Sequence, residues 1–395
     1  MSMVHQGSLF CQLLSLFNRN DFARHVRETK AEYKAKGFSC WDQFVSMLFC
    51  HLAQAKSLRE ITQGLQCCEG KLHHLRLDMA PKRATLSYAN AHRPWELYRR
   101  LFYDLLQVCR VAAPDKPFRF KNKLLSLDAT VIELCAQAFD WAKYRQAKGA
   151  IKLHLLLDHD GYLPAFAHIT EGREHELRTA RLLELPAGSI VAMDRAYIDY
   201  RLFEAWSSQG VFFVTRMKKN ADWFCVSRQS VPKNSTILMD EIGEFHVFHA
   251  GRQIKGQYRK IVVWLEDKQE QLILLTNNMK LAASTIAKIY KARWQIELFF
   301  KALKQNLKLK TFVGTSANAV HIQIWTALIA MLLVKYLQFK STCKWHLSNL
   351  VALLRLNLFT YRELWAWINH PFETPPLVPL PQQFLLPGFN LGQQL

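Results

Sequence analysis

Apolar residues along this chain follow two different periods, and the change between them divides it. Up to about residue 115 they recur at spacings of three and four, most clearly in Trp41–Leu52 and Trp95–Val111. That period predicts amphipathic helices. Pro94 stands just before Trp95, a position that favours a helix start. Beyond residue 120 the pattern shortens. "KLLSLDATVIEL" is a β-rich run, and "AIKLHLLLDHDGYLPAFAHITEG" reads as two strands around a His159-Asp160-Gly161 turn. "HELRTARLLEL" and "DYRLFEAWSSQG" return to helical spacing, while "GSIVAMDRAY" and "VFFVTRMKK" are apolar strands. Residues 120–219 therefore predict the order β, β, β, α, β, α, β, a mixed α/β arrangement.

Residues 220–271 alternate in patterns such as "FHVFHAGRQ" and "YRKIVVWLED", which predicts a β-rich insert. "LILLTNN" then resumes a core strand, a helix begins near Ser284, and further apolar helices are expected over 318–339 and 347–368. The segment 370–395 is proline-containing and without periodicity. The expected organisation is a helical module at 1–118, an α/β module at 119–219 and 272–340, the insert at 220–271, and a helical region with an extended tail at 341–395. The most apolar run, Ile324 to Val334, is shorter than the ~20 residues a bilayer span takes, so a buried helix is expected there.

Charge narrows the partners. The 395 residues carry 52 Lys+Arg against 32 Asp+Glu, a formal net charge of +20, which favours a polyanionic partner and nucleic acid first. An anionic membrane surface is the second candidate. Residues 57–93 contain two short helical patterns about a glycine-containing turn, with Lys71, His73, His74, Arg76, Lys82 and Arg83 nearby. This fits a helix-turn-helix DNA reader or an ordinary helical hairpin. The nine cysteines are odd in number and form no CxxC pair, and the N-terminus lacks a basic region before its apolar run. Together these predict a reducing, cytoplasmic setting without a disulfide framework or zinc site.

Three acids stand out. Asp128 interrupts "LLSLDATVI" and Asp194 ends "SIVAM". A carboxylate in such a strand is costly unless a cation or a capped turn compensates it. A cap, or an ion pair between Asp194 and Arg195, would explain one; two at the ends of two strands favour a site. Glu297 lies in "YKARWQIELFFKALKQNL". On one continuous helix Tyr290, Arg293, Glu297, Lys301 and Lys304 form a stripe bordering the core face. The stripe reads either as a cleft edge or as a solvated face with Arg293–Glu297 and Glu297–Lys301 pairs. Three acids from two strands and a helix suit Mg²⁺, which accepts a few carboxylates and keeps other positions for water and phosphate oxygens. Two such ions about 4 Å apart serve phosphodiester displacement. No nucleotide phosphate loop, zinc cluster or acyl-transfer serine motif occurs. Arg145, Lys148 and Lys152 form a basic patch that fits phosphate contact or a solvated strand side. His154, His168 and His175 read as hydrogen-bonded structural histidines.

Tyr290, Arg293, Glu297 and Lys304 also match a specific signature. With "LDATVIELC", "KGAIKLHLLLD", "MDRAYIDY" and "TSANAVHIQIW", the chain from about residue 8 to 340 resembles bacterial insertion-sequence transposases of the DDE class, the insertion-sequence-four group with its Y-R-E-K signature. The resemblance implies a ribonuclease H-like catalytic domain interrupted by a β-rich insertion, preceded by an all-α DNA-binding domain and followed by C-terminal helices. It implies Asp128, Asp194 and Glu297 as a triad holding two Mg²⁺ ions, with Mn²⁺ as a substitute. Tyr290, Arg293 and Lys304 would contact element-end DNA. Trp294 would stack on a displaced base or pack under the insert, and Lys301 would join the DNA clamp. The implied reaction is hydrolysis at the element's ends and attack of the freed 3′-OH on target DNA, by a homodimer on double-stranded DNA, in the bacterial cytoplasm with the nucleoid. The competing readings are a ribonuclease H-like nuclease without strand transfer and an inactive DNA-binding relic.

Overall fold

The computed structural model describes residues 7–373 except 69, 115–117, 119, 136–138, 140, 142, 146, 147, 219, 220, 234, 246, 250, 251, 255, 308 and 310. Its first part is helical: α1 (Leu9–Leu14), α2 (Arg19–Glu28), α3 (Cys40–Leu52), α4 (Leu58–Gln66), α5 (Arg83–His92) and α6 (Glu96–Ala112). Local chemistry sets their starts. Ser39 and Asp42 form a reciprocal capping box on α3, and Ser57 accepts from the Glu60 amide to cap α4. The eight cysteines described are all free.

The second part is built on a ten-stranded sheet. Its strands and their helices follow in the order β1 (Leu124–Cys135), β2 (Lys143–Arg145), β3 (Lys148–Asp158), β4 (Leu163–Glu171), α7 (Glu176–Ala180), β5 (Ile190–Met193), α8 (Tyr200–Ser208) and β6 (Phe212–Arg216). They continue as β7 (Trp223–Arg228), β8 (Ile237–Phe245), the small separate hairpin β9 (Val247–His249) and β10 (Arg252–Ile254), β11 (Tyr258–Leu265) and β12 (Glu270–Thr276). Spatially β3 lies between β1 and β4, β1 lies beside β5, and β5 beside β6. β1, β5 and β6 are mutually parallel, and β3 is antiparallel to β1 and to β4. β5 is buried throughout, as an interior parallel strand must be.

The insert region differs from a separate β unit. β12 pairs antiparallel with β6, and β11, β8 and β7 follow in turn, so most of its strands prolong the same sheet. Bidentate contact between Arg259 on β11 and Asp240 on β8 secures this extension, with Nε and Nη2 at 2.8 and 2.6 Å from the two carboxylate oxygens. Arg259 Nη1 also donates to the Leu281 carbonyl at 2.6 Å, just before the next helix.

The remaining helices are α9 (Ala283–Ala292), α10 (Trp294–Asn306), α11 (Ala317–Lys340), α12 (Leu347–Asn357) and α13 (Leu364–Asn369). Two corrections to the sequence-based expectation arise here, while the buried helix expected at Ile324–Val334 is present. The segment near 284–307 is two helices, broken at Arg293, not one. The segment 347–368 is likewise two helices. The apolar run Ile324–Val334 is the middle of a 24-residue helix, long and apolar enough to cross a membrane. It is nevertheless the central core helix of the protein, with 83% of its most apolar stretch buried against α3, α5, α6, α10 and α12. Two of its polar residues bond to internal carbonyls: Gln323 donates to the Thr311 carbonyl and Asn318 to the Asn90 and Arg93 carbonyls.

Strand alternation decides which face carries the acids. Leu125 and Leu127 on β1 with Val191 and Met193 on β5 pack toward α8, while Leu124, Ile190 and Ala192 pack toward α9. By the same alternation Asp128 belongs to the α9 face.

Candidate active site

Leu127 pairs with Met193 in the parallel register of β1 and β5. The next residue on each strand is an acid, so Asp128 and Asp194 emerge side by side. Asp128 continues in β1, whereas Asp194 ends β5 and begins a tight turn. Asp128 Oδ1 accepts from the Ala129 amide at 2.8 Å and Asp194 Oδ1 from the Ala196 amide at 3.0 Å. A turn cap at Asp194 was one of the two structural readings of the sequence, and it is formed.

Glu297 arrives in the first turn of α10, which packs against β1. The helical ladder is tight at the junction, where the Arg293 amide donates to the Tyr290 carbonyl and the Ile296 amide to the Arg293 carbonyl, three residues back in each case. From this break the Arg293 guanidinium reaches both acids. Nη1 lies 2.9 Å from Asp128 Oδ2 and Nη2 lies 2.8 Å from Glu297 Oε1. Farther along α10, Lys304 Nζ donates to the Val131 carbonyl of β1 at 2.9 Å. Two cations thus pin the helix along the strand. The continuous stripe expected from Tyr290 to Lys304 is replaced by this two-helix arrangement.

Burial raises the Asp128 carboxyl to about 6, against the lowering effects of the Ala129 amide and Arg293; the Glu297 and Asp194 charges add to the rise. Asp128 therefore feels both of the other acids. Tyr197, three residues past Asp194, is buried with its hydroxyl unpartnered among the described residues. Burial, then the Asp128 charge, pushes that phenol upward. Sequence reasoning passed over Tyr197; its only trace there was its place in "MDRAY", immediately after an acid-capped strand.

The other candidates fall in three settings. Tyr290 is half-buried at the end of α9, its ring 5.8 Å from the Arg293 guanidinium carbon. Trp294 is 56% exposed and Leu298, one turn on, 45% exposed, so Trp294 does not pack under the insert. Lys301 is exposed on the same helix. In the basic patch, Lys152 is held by the Glu174 carbonyl at 2.8 Å and Glu176 at 3.3 Å, while the side chains of Arg145 and Lys148 lie outside the described residues. His154 is buried 2.9 Å from the Thr170 hydroxyl, and His175 caps α7.

Among the described residues no three His, Cys, Asp or Glu side chains are gathered as a ready metal cage. The donor chemistry nonetheless fits a hard divalent cation, because every donor is a carboxylate oxygen and two of them already converge on one positive group.

Strand-end carboxylates crowded beside cations on a mixed α/β sheet define a candidate centre for polyanion chemistry. Residues 119–333 match the family described as transposase DDE domain, and the chain belongs to that family. Its members are enzymes that cleave and transfer DNA strands. Residues 5–76 match a domain of unknown function (DUF4372). A Sinorhizobium fredii protein named as a transposase, y4zB, is 28% identical over 306 residues, 76% of this chain and 83% of the relative. A Geobacillus stearothermophilus protein named as the transposase for insertion sequence element IS5377 is 27% identical over 255 residues, 64% of this chain and 67% of the relative. Among solved structures, a piggyBac transposase synaptic complex with hairpin DNA aligns at TM-score 0.46 and 10% identity, over 91% of this chain and 82% of that one.

Proposed function

We propose that this transposase hydrolyses DNA at the ends of an insertion element and joins the freed 3′-OH to target DNA, with Asp128, Asp194 and Glu297 as its metal-binding acids. The observation that carries the reading is the convergence of Asp128 and Glu297 on Arg293, with Asp194 brought beside Asp128 by the β1–β5 register. The strand order β4-β3-β1-β5-β6, with only β3 reversed relative to β1 and its parallel neighbours, supports a ribonuclease H-like core.

Two Mg²⁺ ions, or Mn²⁺ in their place, would supply activation of the attacking oxygen and neutralisation of the leaving oxygen when bound at these acids. The chain's own residues do the rest. Asp128 and Asp194 come from a rigid sheet and fix one side of the site, while Glu297 closes it from α10. Arg293 and Lys304 are placed to exchange their internal acceptors for DNA phosphates, charge-assisted contacts that suit a guanidinium and an ammonium. Tyr290 braces Arg293. Exposed Trp294 offers a face for an unstacked base, and Lys301 a further phosphate contact. Helices α1–α6 would bind element-end DNA, residues 220–271 would form the insertion, and a homodimer would assemble on the two ends, near the nucleoid.

The test is cleavage and joining of DNA carrying the regions that flank the gene, in Mg²⁺. Wild type is expected to cut and join, and Asp128→Asn, Asp194→Asn and Glu297→Gln each to abolish both while still binding DNA. Unimpaired cutting by the Glu297 variant would sink the metal assignment. Cutting without joining would make the protein a plain nuclease.

A further inference from the structure

Beside the two strand-end acids stands a group that the carboxylate chemistry leaves unused, the hydroxyl of Tyr197. The parallel register carries Leu127 and Met193 side by side, and an acid follows each. The Tyr197 ring belongs to the same apolar cluster as those two residues, so its body lies on the α8 side of the sheet. Its backbone is fixed there by the turn that Asp194 starts, where the Tyr197 amide donates to the Asp194 carbonyl at 3.1 Å. Tyr197 is 1% exposed, and its hydroxyl meets no hydrogen-bond partner among the described residues.

A phenol O–H shut away from water without an acceptor is costly, and such a group marks either strain or a partner that another state of the molecule supplies. The charges around this one indicate the partner. After burial itself, Asp128 acts on the phenol most strongly, followed by Glu176 and Asp194, with Arg293 opposing them. Glu176 opens α7, which packs on the same turn, and is held by Lys152 at 3.3 Å. Asp128 is also taken, Oδ1 by the Ala129 amide and Oδ2 by Arg293. The phenol therefore stands among acceptors that other donors occupy. Two further buried tyrosines have unpartnered hydroxyls, but in other surroundings: Tyr98 lies near Cys40 and Arg93, and Tyr258 near Glu204 and Tyr200.

We propose that Tyr197 is a positioning residue for the metal-binding carboxylates: when Arg293 leaves Asp128 for a DNA phosphate and a divalent cation takes its place, the Tyr197 hydroxyl donates to the Asp128 carboxylate and holds it in its metal-binding orientation. The inference rests on the metal reading of Asp128, Asp194 and Glu297. Ligating carboxylates are as a rule hydrogen-bonded in turn, and losing such a partner costs about 10–100-fold in metal affinity. Because the Tyr197 ring is packed into the core, its donor has one fixed direction.

Tyr197→Phe removes the hydroxyl and keeps the ring, and three measurements on the full chain test its role. In metal-free buffer the variant is expected to melt at the wild-type temperature or above, because the lost hydroxyl had no partner. Calorimetric Mn²⁺ titration is expected to show binding about tenfold weaker than wild type. In the Arg293→Gln background, where Asp128 is released, Tyr197→Phe is expected to lower the metal-free melting temperature, since there the hydroxyl has found the acid. A tyrosine that serves the fold alone gives the reverse pattern, a lower melting temperature in the wild-type background with Mn²⁺ affinity unchanged, and that result overturns the proposal. Unchanged Mn²⁺ affinity overturns it by itself. So does an Arg293→Gln protein whose melting temperature does not respond to Tyr197→Phe, a comparison that needs no metal. Asp128→Asn separates the two readings. If it loses Mn²⁺ binding while Tyr197→Phe keeps it, only the role of Tyr197 fails. If it binds Mn²⁺ like wild type, the metal assignment fails with it.

Discussion

Arg293 holds Asp128 across 165 residues of sequence, its Nη1 2.9 Å from the carboxylate, while its other terminal nitrogen holds Glu297. Without DNA or metal, one guanidinium is the counter-ion for two members of the candidate triad. A bound cation would have to share or displace it. Arg293→Gln leaves two carboxylates facing each other, so the variant is expected to bind Mn²⁺ on the order of tenfold tighter than wild type, the weight of a charge-assisted hydrogen bond. Arg293→Lys, which satisfies one acid, should fall between them. Calorimetric Mn²⁺ titration of the free protein measures this. Equal or weaker binding by Arg293→Gln, with Asp128-dependent binding in wild type, would contradict the competition.

Trp294 and Leu298 stand exposed one turn apart beside Glu297. Because neither packs internally, Trp294→Ala should leave the melting temperature unchanged. If the indole receives a base, the loss should be about 1–3 kcal/mol of affinity for DNA with unpaired bases at the cleavage end, and little for an intact duplex. Equal losses on both substrates would assign the tryptophan to non-specific contact.

These two residues show what a linear pattern conveys. The apolar runs around Asp128 and Asp194 exposed both acids, because a charge inside a strand violates burial rules that the sequence alone displays. The Tyr290–Lys304 spacing marked Glu297. The break at Arg293 was hidden, since helical periodicity cannot register an ion pair made to a distant strand. Tyr197 was equally hidden: an aromatic after an acid looks like ordinary core until its hydroxyl proves unpartnered.

Three interior histidines make stability depend on acid. His51 lies between the Leu307 carbonyl at 3.1 Å and the Thr326 hydroxyl at 3.0 Å, and His154 and His159 face Thr170 and Ser126. Burial pushes each imidazole down to about 4. The unfolded chain, titrating near 6.5, then binds more protons than the folded one. Their contribution is complete above pH 6.5 and is lost as pH falls toward 4, on the order of 3 kcal/mol apiece. Urea denaturation at pH 7 and pH 5 should show the lower midpoint at pH 5. His51→Gln should reduce that difference even if it lowers stability at both values.

Asp240 and Arg259 provide the sharpest test of how the sheet extension supports the site. Both side chains are almost fully buried, and their two-point contact joins β8 to β11 while the same arginine holds the Leu281 carbonyl ahead of α9. Breaking a buried pair leaves one charge stranded, at a cost of about 3–5 kcal/mol. Asp240→Ala is therefore expected to destabilise the protein by that amount in urea melts. Replacing both with apolar residues, Asp240→Leu with Arg259→Met, should recover much of the loss, since no charge then stays unpaired. The two variants separate stability from function. If Arg259 matters only as half of an ion pair, the double variant should cleave DNA normally once folded. If its hold on Leu281 also sets the position of α9, and with it Tyr290 and Arg293, the double variant should fold yet cleave slowly. An Asp240→Ala protein as stable as wild type would show that this pair does not secure the extended sheet.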